Sequence, residues 1–352
     1  MIYPIANDDP LITAIIPTFK RPELLKRAIK SVLNQSFKPF QVCVYDNASG
    51  DETRDVVESF VKKDSRVKYF CHETNIGGVK NFQYGLEAVN TPYFSFLSDD
   101  DILFPNFYEL AIEGFHKYPK AAIFSGNCYK ITSDLQKLVY EGFKLDRYGL
   151  YHISDFLDKF KNKDFVPWTS MVFNYDKVKK IKLDDSIISD VMYFYQILSN
   201  YPIIISPFYC SVFFISLASA SSHLDTKSIY PGMKELKERL EAYQVLDCTT
   251  IESLNLRLNN MIMRFIISDI KRYLKENNFV EINELIALLQ DEFHAKTTID
   301  KINIYCRLRK ISVLWYFLLY SRKILLFLKK IRLFSLESLK TKRKLKKFIK
   351  SL

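Results

Sequence analysis

The chain has 352 residues, enough for one large domain or two ordinary ones, and its 48% hydrophobic and 26% charged residues are typical of a globular, mostly soluble protein. The net charge of +11 comes from residues 301–352, which carry sixteen Lys and Arg against one acidic residue, whereas the other 300 residues have a net charge of −4. Six cysteines without a CxxC pair or regular spacing argue against a zinc site or a disulfide framework, and favour reduced thiols in the cytoplasm.

Strand and helix patterns alternate over the first 110 residues, which predicts an α/β domain with a largely parallel sheet. The β-branched run LITAIIPTF predicts the first strand, and RPELLKRAIKSVLNQS, with apolar residues at helical spacing, predicts the first helix. The strand QVCVYD and the helix SGDETRDVVESFVKK follow, with Ser49 and Glu52 placed as a capping box. After the strand VKYFCH, a glycine turn leads into the helix NIGGVKNFQYGLEAV, and TPYFSFL is the fourth strand.

The pattern changes twice further along the chain. Between about residues 120 and 225 it indicates short strands and one helical segment, SDVMYFYQILSN. From about Tyr230 onward only helical spacing of apolar residues remains. We therefore expect one domain over residues 1–225, a helical region over 226–300 and a basic tail over 301–352.

Three aspartates, Asp99, Asp100 and Asp101, follow the fourth predicted strand directly. In open α/β sheets ligands bind outside the carboxyl ends of the strands, and the polar residues 17–19, 46–47 and 75–81 are expected at the same edge. Adjacent carboxylates form a hard-oxygen site for Mg²⁺ or Mn²⁺, and such a cation can act as a Lewis acid toward a phosphate leaving group. The alternative is a solvated acidic turn that caps the next helix.

Four segments together give a specific resemblance. The segments AIIPTFKRPELLKRAIKSVLNQSF, QVCVYDNASGDETRDVV, NIGGVKNFQYGLEAV and YFSFLSDDDILFPN, in this order and spacing, resemble family 2 glycosyltransferases over roughly residues 10–225. The resemblance implies the GT-A fold, an α/β fold in which a Rossmann-like nucleotide-binding sheet carries a metal-binding DxD loop. Here an α-helical C-terminal region would follow that sheet. The implied cofactor is Mn²⁺ or Mg²⁺.

Positions that match the family's donor-binding motifs are carried over one by one. The first loop, which runs beside the nucleotide, matches Pro17, Thr18 and Phe19. Asp46 matches the acid that usually contacts the base or ribose, although it also fits an ordinary strand-end turn. The basic–Asn pair matches Lys80 and Asn81. Lys80 falls in the first turn of a helix, where its charge and the amide dipole could both face a diphosphate, or where it could be a solvated surface lysine.

The aspartate triplet fits the metal-binding motif in two registers. Asp99 and Asp101 have the DxD spacing and are expected as metal ligands, with Asp99 and Asp100 beside the donor. The common family form is LDxDD, and Ser98 stands where its first acid would be. Asp100 with Asp101 is therefore the other possible pair. Asp101 belongs to both registers and is predicted as a direct ligand.

A general base is expected about 90 residues after the triplet, because inverting members place an acid at the start of a helix there. The segment KLDDSIISDVMYFYQIL matches this block, with Ser189 in place of the usual Glu and Asp190 as the predicted base. Asp190 could instead cap the helix, and Asp184 and Asp185 are alternative acids nearby. Trp168 could stack on an acceptor sugar or belong to the core.

The tail is predicted to lie on a membrane surface. Its apolar run from Ile311 to Tyr320 is half the length that crosses a bilayer, and extending it to Leu328 would bury Arg322 and Lys323. An interfacial position, with basic residues near anionic lipid headgroups, costs less. A helix packed on the protein is the alternative. No aromatic-basic nucleic-acid fold is visible, so no nucleic-acid partner is expected.

The resemblance and the tail together imply a function. We expect an inverting, metal-dependent glycosyltransferase that moves a sugar from a UDP- or dTDP-sugar donor to a glycan or lipid-linked acceptor, in synthesis of lipopolysaccharide or another envelope polysaccharide. Its expected place is the cytoplasm, peripheral on the inner face of the cell membrane. Two alternatives remain: a catalytically inactive GT-A domain in a membrane-bound assembly, which Ser98 and Ser189 would suit, or a nucleotidyltransferase. The second would show a glycine-rich loop after the first strand, and IPTFKRPEL has no glycine.

Overall fold

The described strands of this protein form one sheet. The computed structural model describes residues 9–132, 138–140, 148–160, 167–215, 225–242, 246–276 and 278–291. Within these ranges the sheet has ten strands: β1 (Ile12–Thr18), β2 (Phe40–Asp46), β3 (Val67–Cys71), β4 (Tyr93–Phe96), β5 (Ile102–Leu103), β6 (Ile123–Thr132), β7 (Leu138–Tyr140), β8 (Gly149–Tyr151), β9 (Met171–Asn174) and β10 (Ile203–Ile215). The order is β3-β2-β1-β4-β9-β6-β10-β5, with β7 beside β6 and β8 beside β10.

The described ranges also contain helices, which precede, separate or follow these strands along the chain. Over the same ranges they are α1 (Pro22–Leu33), α2 (Thr53–Val61), α3 (Gly78–Glu87), α4 (Phe107–Lys117), α5 (Ile153–Lys159), α6 (Tyr175–Val178), α7 (Ser189–Asn200), α8 (Thr226–Glu241), α9 (Cys248–Glu276) and α10 (Phe279–Asp291), with a 3-10 turn at Trp168–Ser170. The alternation of strands and helices expected from the first 110 residues is confirmed.

The amino-terminal half of the sheet is parallel. Strand β1 pairs in parallel with β2 and β4, and β2 pairs in parallel with β3. Every residue of β1 and β2 is buried, as expected for strands covered on both faces. The register aligns Thr18 with Asp46 and Asp46 with Cys71, so the carboxyl ends of the three strands form one edge.

Helix α3 packs closely on this sheet at Gly85. A Cβ atom at Gly85 would lie 2.5 Å from Ile15 Cγ2 and 3.0 Å from the Tyr45 ring. The opposite face of β1 presents Ala14 and Ile16 to the cluster that contains the apolar residues of α1. The two helices therefore cover the sheet from both sides.

The second half of the sheet is mixed. Strand β9 runs antiparallel to β4 and to β6, which joins the parallel strands to the rest of the sheet. Strand β10, 13 residues long, pairs in parallel with β6 and antiparallel with β5 and β8. The short strand β5 comes directly after the aspartate triplet, so β10 lies beside the candidate site.

The capping box expected at Ser49 and Glu52 is wrong. Helix α2 begins at Thr53, and its N-cap residue, Glu52, makes no side-chain capping bond. The Ser49 hydroxyl donates instead to Asp46 at 2.6 Å and accepts the backbone N–H of Lys20 at 2.9 Å. Ser49 therefore links the loops that follow β1 and β2, an interaction that local spacing cannot reveal.

The described residues divide into two compact units, one of residues up to 223 with 232–255, the other of 224–231 with residues from 256 onward. In the second unit, Asp269 accepts hydrogen bonds from the backbone N–H and the hydroxyl of Thr226, each at 2.6 Å. Lys227 pairs with Glu281 and Glu284. No helix in the described ranges is long and apolar enough to span a bilayer. The tail predicted over 301–352 lies outside the described residues.

Candidate active site

The aspartate triplet forms a turn between β4 and β5. The backbone N–H of Asp101 donates to Ser98 O at 3.0 Å and closes the turn. Asp99 and Asp100 occupy its middle, and one nitrogen of the Arg21 guanidinium lies 3.2 Å from Asp99 Oδ1 and 3.3 Å from Asp100 Oδ2. Two of the three carboxylates therefore converge on a single positive charge.

Asp99 is also held by the end of β1. The Thr18 hydroxyl donates to its second carboxylate oxygen at 2.8 Å. Burial raises the pKa of Asp99 to about 6, although the nearby Arg21 charge and the Thr18 hydrogen bond both act to lower it. This carboxylate is ionised at neutral pH and carries a high cost of desolvation, which a further cation would reduce.

Asp101 points the other way. Its side chain is fully buried, and its two oxygens accept hydrogen bonds from the Thr169 hydroxyl and from the backbone N–H of Phe214. Burial and the neighbouring carboxylate of Asp100 raise its pKa well above the ordinary value. This setting differs from the one expected for a direct metal ligand, because both oxygens already serve to join the turn to β10 and to the 3-10 turn.

A second arginine lies behind the triplet. Arg27 donates from Nη2 to the backbone carbonyl of Asp100 at 2.7 Å, and its guanidinium lies 4.2 Å from the centre of the Phe214 ring. Burial lowers the pKa of Arg27, while the charges of Asp101 and Asp100 raise it. Both of these cations thus come from α1 and its N-cap residue, Arg21.

The sequence interpretation missed both arginines. Arg21 is 78 and 79 positions from Asp99 and Asp100, Arg27 is 73 positions from Asp100, and nothing in their spacing indicates acidic partners. One signal was available: α1 starts where β1 ends, and β1 is the sheet neighbour of β4. Side chains from the start of α1 therefore reach the turn that follows β4.

The expected nucleoside side of the site lies at the ends of β1 and β2. Asp46 is 2% exposed and accepts hydrogen bonds from the Tyr69 hydroxyl and the Ser49 hydroxyl, both at 2.6 Å. Burial and the bond to Asp46 raise the pKa of Tyr69, so the phenol stays a donor. Asp46 therefore organises the loop that follows β2, and a ligand would have to share or displace one of these donors.

The first loop presents an aromatic side chain beside that acid. Pro17 lies inside β1 and is buried, whereas Phe19 is 38% exposed. Lys20 and Ala48 adopt positive φ angles of 55° and 60°, a region that residues with a Cβ rarely occupy. The two strained positions lie in the loops after β1 and β2, where such strain marks a candidate site.

Lys80 and Asn81 have different surroundings. Lys80 is exposed in the first turn of α3, and its Nζ lies 3.7 Å from Asp185 Oδ2. Asn81 is 2% exposed, and its amide donates to Tyr45 O at 2.9 Å while its oxygen meets His72 Nε2 at 2.9 Å. Both ends of the Asn81 amide are thus engaged within the protein, whereas Lys80 is accessible to an anionic ligand.

Asp190 lies in the first turn of α7 and is partly buried. Its Oδ1 accepts the backbone N–H of Val191 at 2.8 Å, and the N-cap position belongs to Ile188, so Asp190 is not the N-cap residue. Burial raises the pKa of Asp190 to about 6. A carboxylate that is ionised at pH 7 but basic enough to take a proton suits a general base.

Trp168 packs beside Asp190. Its Nε1 donates to the backbone carbonyl of Asp190 at 3.3 Å, and its ring stacks on Phe96 at 4.4 Å between centroids. Phe82 and Tyr193 meet the same ring edge-on. The tryptophan therefore belongs to an aromatic cluster that spans the end of β4, α3 and the start of α7.

The comparison with known families decides the classification. Residues 13–182 match the sequence model of the family described as glycosyl transferase family 2. Residues 13–182, just under half of the chain, therefore belong to this family. The resemblance seen in the four sequence segments is thereby confirmed.

Curated relatives agree with this membership over part of their length. A glucosyltransferase of Campylobacter jejuni, named GalNAc(5)-diNAcBac-PP-undecaprenol beta-1,3-glucosyltransferase, is 41% identical over 95 residues, which is 27% of this chain and 31% of the relative. An uncharacterized glycosyltransferase of Methanocaldococcus jannaschii is 25% identical over 183 residues, which is 51% of this chain and 61% of the relative. The chain therefore matches less than two thirds of either protein.

Solved structures confirm the expected GT-A fold. Staphylococcus aureus TarS, residues 1–349 in complex with UDP, has a TM-score of 0.62 with 16% sequence identity, and the likeness covers 84% of this chain and 89% of the TarS chain. The same protein in complex with UDP-GlcNAc has a TM-score of 0.60 and covers 70% of this chain and 72% of its own. At this identity the likeness shows the fold alone.

Proposed function

We propose that this chain is an inverting glycosyltransferase that uses a nucleoside diphosphate sugar and a divalent cation to extend an envelope glycan. The observation that carries the proposal is the convergence of Asp99 and Asp100 on one guanidinium nitrogen at the carboxyl edge of the parallel strands. Ligands of open α/β sheets bind at this edge. Two carboxylates close enough to face one guanidinium nitrogen are also close enough to bind one divalent cation beside a phosphate.

The residues present fit Mn²⁺ or Mg²⁺. The described residues contain no cluster of three or more His, Cys, Asp or Glu side chains placed around a metal position. Magnesium commonly uses only one or two carboxylates together with substrate phosphates, and Asp99 and Asp100 supply that number. We assign the ligand role to these two rather than to Asp101, whose oxygens are both engaged by the fold. When bound, the cation would offset the charge that develops on the leaving diphosphate.

Asp190 takes the proton in the proposed reaction. As the acceptor oxygen attacks the anomeric carbon, a bond forms between them, the bond to the diphosphate breaks, and the hydroxyl proton passes to the Asp190 carboxylate. Attack on the face opposite the leaving group inverts the anomeric configuration. The aromatic cluster around Trp168 fixes the backbone of Asp190 through the Nε1 hydrogen bond.

The relatives support a proposal for the donor and acceptor classes. The TarS structures hold UDP or UDP-GlcNAc, and the Campylobacter relative is named for an undecaprenol-linked acceptor. We propose a UDP-sugar donor and a lipid-linked glycan acceptor for this chain. A catalytic domain over 1–225, a helical region over 226–300 and a membrane-associating tail over 301–352 would bring the enzyme to such an acceptor at the cytoplasmic face.

The test is release of nucleoside diphosphate. The full chain is incubated with Mn²⁺, a polyprenyl-diphosphate-linked glycan and, in turn, each of a panel of UDP- and dTDP-sugars. We expect acceptor-dependent UDP release that EDTA and Asp100→Asn abolish, while Asp55→Asn, an exposed acid on α2, retains it. Absence of release with every donor, or full activity of Asp100→Asn, contradicts the proposal. NMR of the product reports whether the anomeric configuration is inverted.

A further inference from the structure

Arg21 occupies the position at which the proposed metal would meet its carboxylates. Its side chain is 32% exposed, whereas those of Asp99 and Asp100 are 8% and 12% exposed. The guanidinium therefore covers the two acids from the solvent side. A cation that reaches both carboxylates has to compete with it, because two positive charges cannot share the same pair of oxygens at close range.

The neighbouring backbone fixes the position of the Arg21 Cα, but the Arg21 side chain can move. Lys20, with φ of 55°, donates its N–H to Ser49 Oγ, and Pro22 follows as the first residue of α1. A residue before proline is conformationally restricted, so the Arg21 Cα stays at the mouth of the site. From this position the long side chain can exchange one anionic partner for another without any change in the fold.

Arg27 does not have this freedom. Its guanidinium is held between the Asp100 carbonyl and the Phe214 ring, and it offsets the acidic turn from the inner side. The positive charge of Arg27 therefore stays beside the acidic turn when the Arg21 guanidinium moves away. Of the two arginines, Arg21 is the one placed to respond to a ligand at the solvent side.

We infer that Arg21 is an internal counter-ion that holds Asp99 and Asp100 in the donor-free protein and transfers to the donor diphosphate when a divalent cation takes over the two carboxylates. This inference rests on the proposed function. A diphosphate supplies the oxygens that a guanidinium binds in a bidentate manner, so the exchange replaces one set of charge-assisted bonds with another. The metal alone offers no such replacement.

Cooperative binding follows from this exchange. Without nucleotide, Mn²⁺ has to displace Arg21 from the two carboxylates and supplies no anion in exchange, which weakens metal binding. With nucleotide, the released guanidinium gains a partner, so metal and nucleotide each strengthen the binding of the other by the same factor. Arg21 thus weakens the binding of a metal ion in the absence of a donor.

The experiment measures Mn²⁺ binding directly, from the electron paramagnetic resonance signal of free Mn²⁺, with the full chain in the absence and presence of UDP. For Arg21→Gln we expect Mn²⁺ alone to bind about five- to tenfold more tightly than to the wild type, because the competing cation is gone. UDP affinity at saturating Mn²⁺ should fall by a similar factor. Lys26→Gln, which removes one exposed positive charge from the same helix, should change neither value.

Arg21→Lys provides the second variant. It keeps a cation that competes with the metal but lacks the planar fork that matches a diphosphate, so Mn²⁺ alone should bind as to the wild type while UDP binds more weakly. A purely structural Arg21 would make both substitutions weaken Mn²⁺ binding, and that result overturns the inference. Equal metal binding by wild type and Arg21→Gln also overturns it.

The inference and the proposed function fail differently. If the wild type binds no Mn²⁺ even with UDP, the metal in the proposed function is wrong. If the wild type binds Mn²⁺ with UDP but Arg21→Gln shows unchanged coupling between the two ligands, only the role of Arg21 is wrong. Thermal melts of each variant show that the fold is retained.

Discussion

The carboxylate of Asp101 accepts the backbone N–H of Phe214 at 2.9 Å, across 113 positions of the chain. This bond, with the one from Thr169, turns the third aspartate of the triplet into the protein while the first two face Arg21. Three neighbouring acids with the same chemistry thus have two separate tasks, and substitutions can tell them apart.

Asp101→Ala should destabilise the fold. It leaves the Phe214 N–H and the Thr169 hydroxyl buried without their acceptor, and each such group costs about 1–3 kcal/mol, so we expect a loss of about 2–6 kcal/mol in the free energy of unfolding. Asp100→Ala breaks the ion pair with the partly exposed Arg21, whose guanidinium can bind water instead, so it should cost less than Asp101→Ala. Urea denaturation measures both. Equal stability of the two variants would show that Asp101 has no special structural role.

Asp190→Asn should separate catalysis from binding. Asparagine keeps the shape of the side chain and can still accept the Val191 N–H, but it cannot take a proton. We expect turnover to fall by about 10²–10⁴-fold while UDP and Mn²⁺ binding stay within about twofold of the wild type. Kinetics and calorimetric titration measure the two effects. Turnover near the wild-type value would move the base to Asp184, Asp185 or another acid.

Turnover at saturating donor should fall on the acid side of pH 6. The pKa of Asp190 is raised to about 6 by burial, so below that pH the carboxyl is protonated and cannot act as a base. The rate should drop about tenfold for each further pH unit. Asp99 titrates in the same range, but its protonation should appear as weaker UDP–Mn²⁺ binding. An acid limb near pH 4 would exclude a buried Asp190 as the base.

The raised pKa of Asp190 also makes the stability of the protein depend on pH. Because the folded-state pKa of Asp190 lies above its unfolded value, the wild type loses stability relative to Asp190→Asn as pH rises from about 4 to 6, and the deficit persists above pH 6. Asp190→Asn should therefore be the more stable protein at pH 8, with little difference at pH 4. Melting temperatures at the two pH values measure this, and a less stable variant at pH 8 contradicts it.

Glycine substitutions in α3 test how this helix packs on β1 and β2. Gly85→Ala places a Cβ 2.5 Å from Ile15, which has to be relieved by movement in a close-packed core, at a cost of about 1–3 kcal/mol. Gly78→Ala meets no atom within 4 Å and should be neutral or stabilising by up to about 1 kcal/mol. Chemical denaturation of the pair gives the comparison. If both behave alike, α3 does not pack on β1 as described.

Removal of residues 301–352 should abolish membrane association. Each well-placed Lys or Arg contributes about 1 kcal/mol at an anionic surface, and salt screens this term. The full chain should float with anionic vesicles more than with neutral ones and be partly released by high salt, with a salt-resistant remainder from apolar insertion. The truncated chain should stay in the aqueous fraction. Equal flotation of both would leave the tail as a packed helix or a protein-binding segment.

Sequence periodicity was a good guide to the parallel strands and the helices between them. The buried runs of β1 and β2 and the apolar stripe of α1 are local properties, and the structure has these elements where the patterns place them. The capping box failed because the Ser49 backbone N–H donates to Asp46 rather than to Glu52, and the Ser49 hydroxyl oxygen accepts the N–H of Lys20. Spacing alone cannot show which of two nearby carboxylates accepts the Ser49 N–H, or that Lys20 from another loop reaches its hydroxyl.

The sequence also could not predict which aspartate of the triplet turns into the protein and which ones face Arg21. Spacing gave two registers for the metal ligands and made Asp101 common to both. Which carboxylate turns inward depends on where the N–H of Phe214 and the hydroxyl of Thr169 lie, and both come from the second half of the sheet. Three identical side chains in a row carry no sequence signal for that choice.

The inward anchoring of Asp101 limits how segments of this protein can be exchanged with those of a related protein. Exchanging the segment after residue 167 with that of another family member, to change the acceptor, would also replace the hydroxyl at Thr169 and the strand that contains Phe214. If the new segment lacks the hydroxyl or the N–H that binds Asp101, the turn that holds Asp99 and Asp100 should shift. Affinity for the proposed nucleotide sugar would then change although no residue before position 167 had been altered.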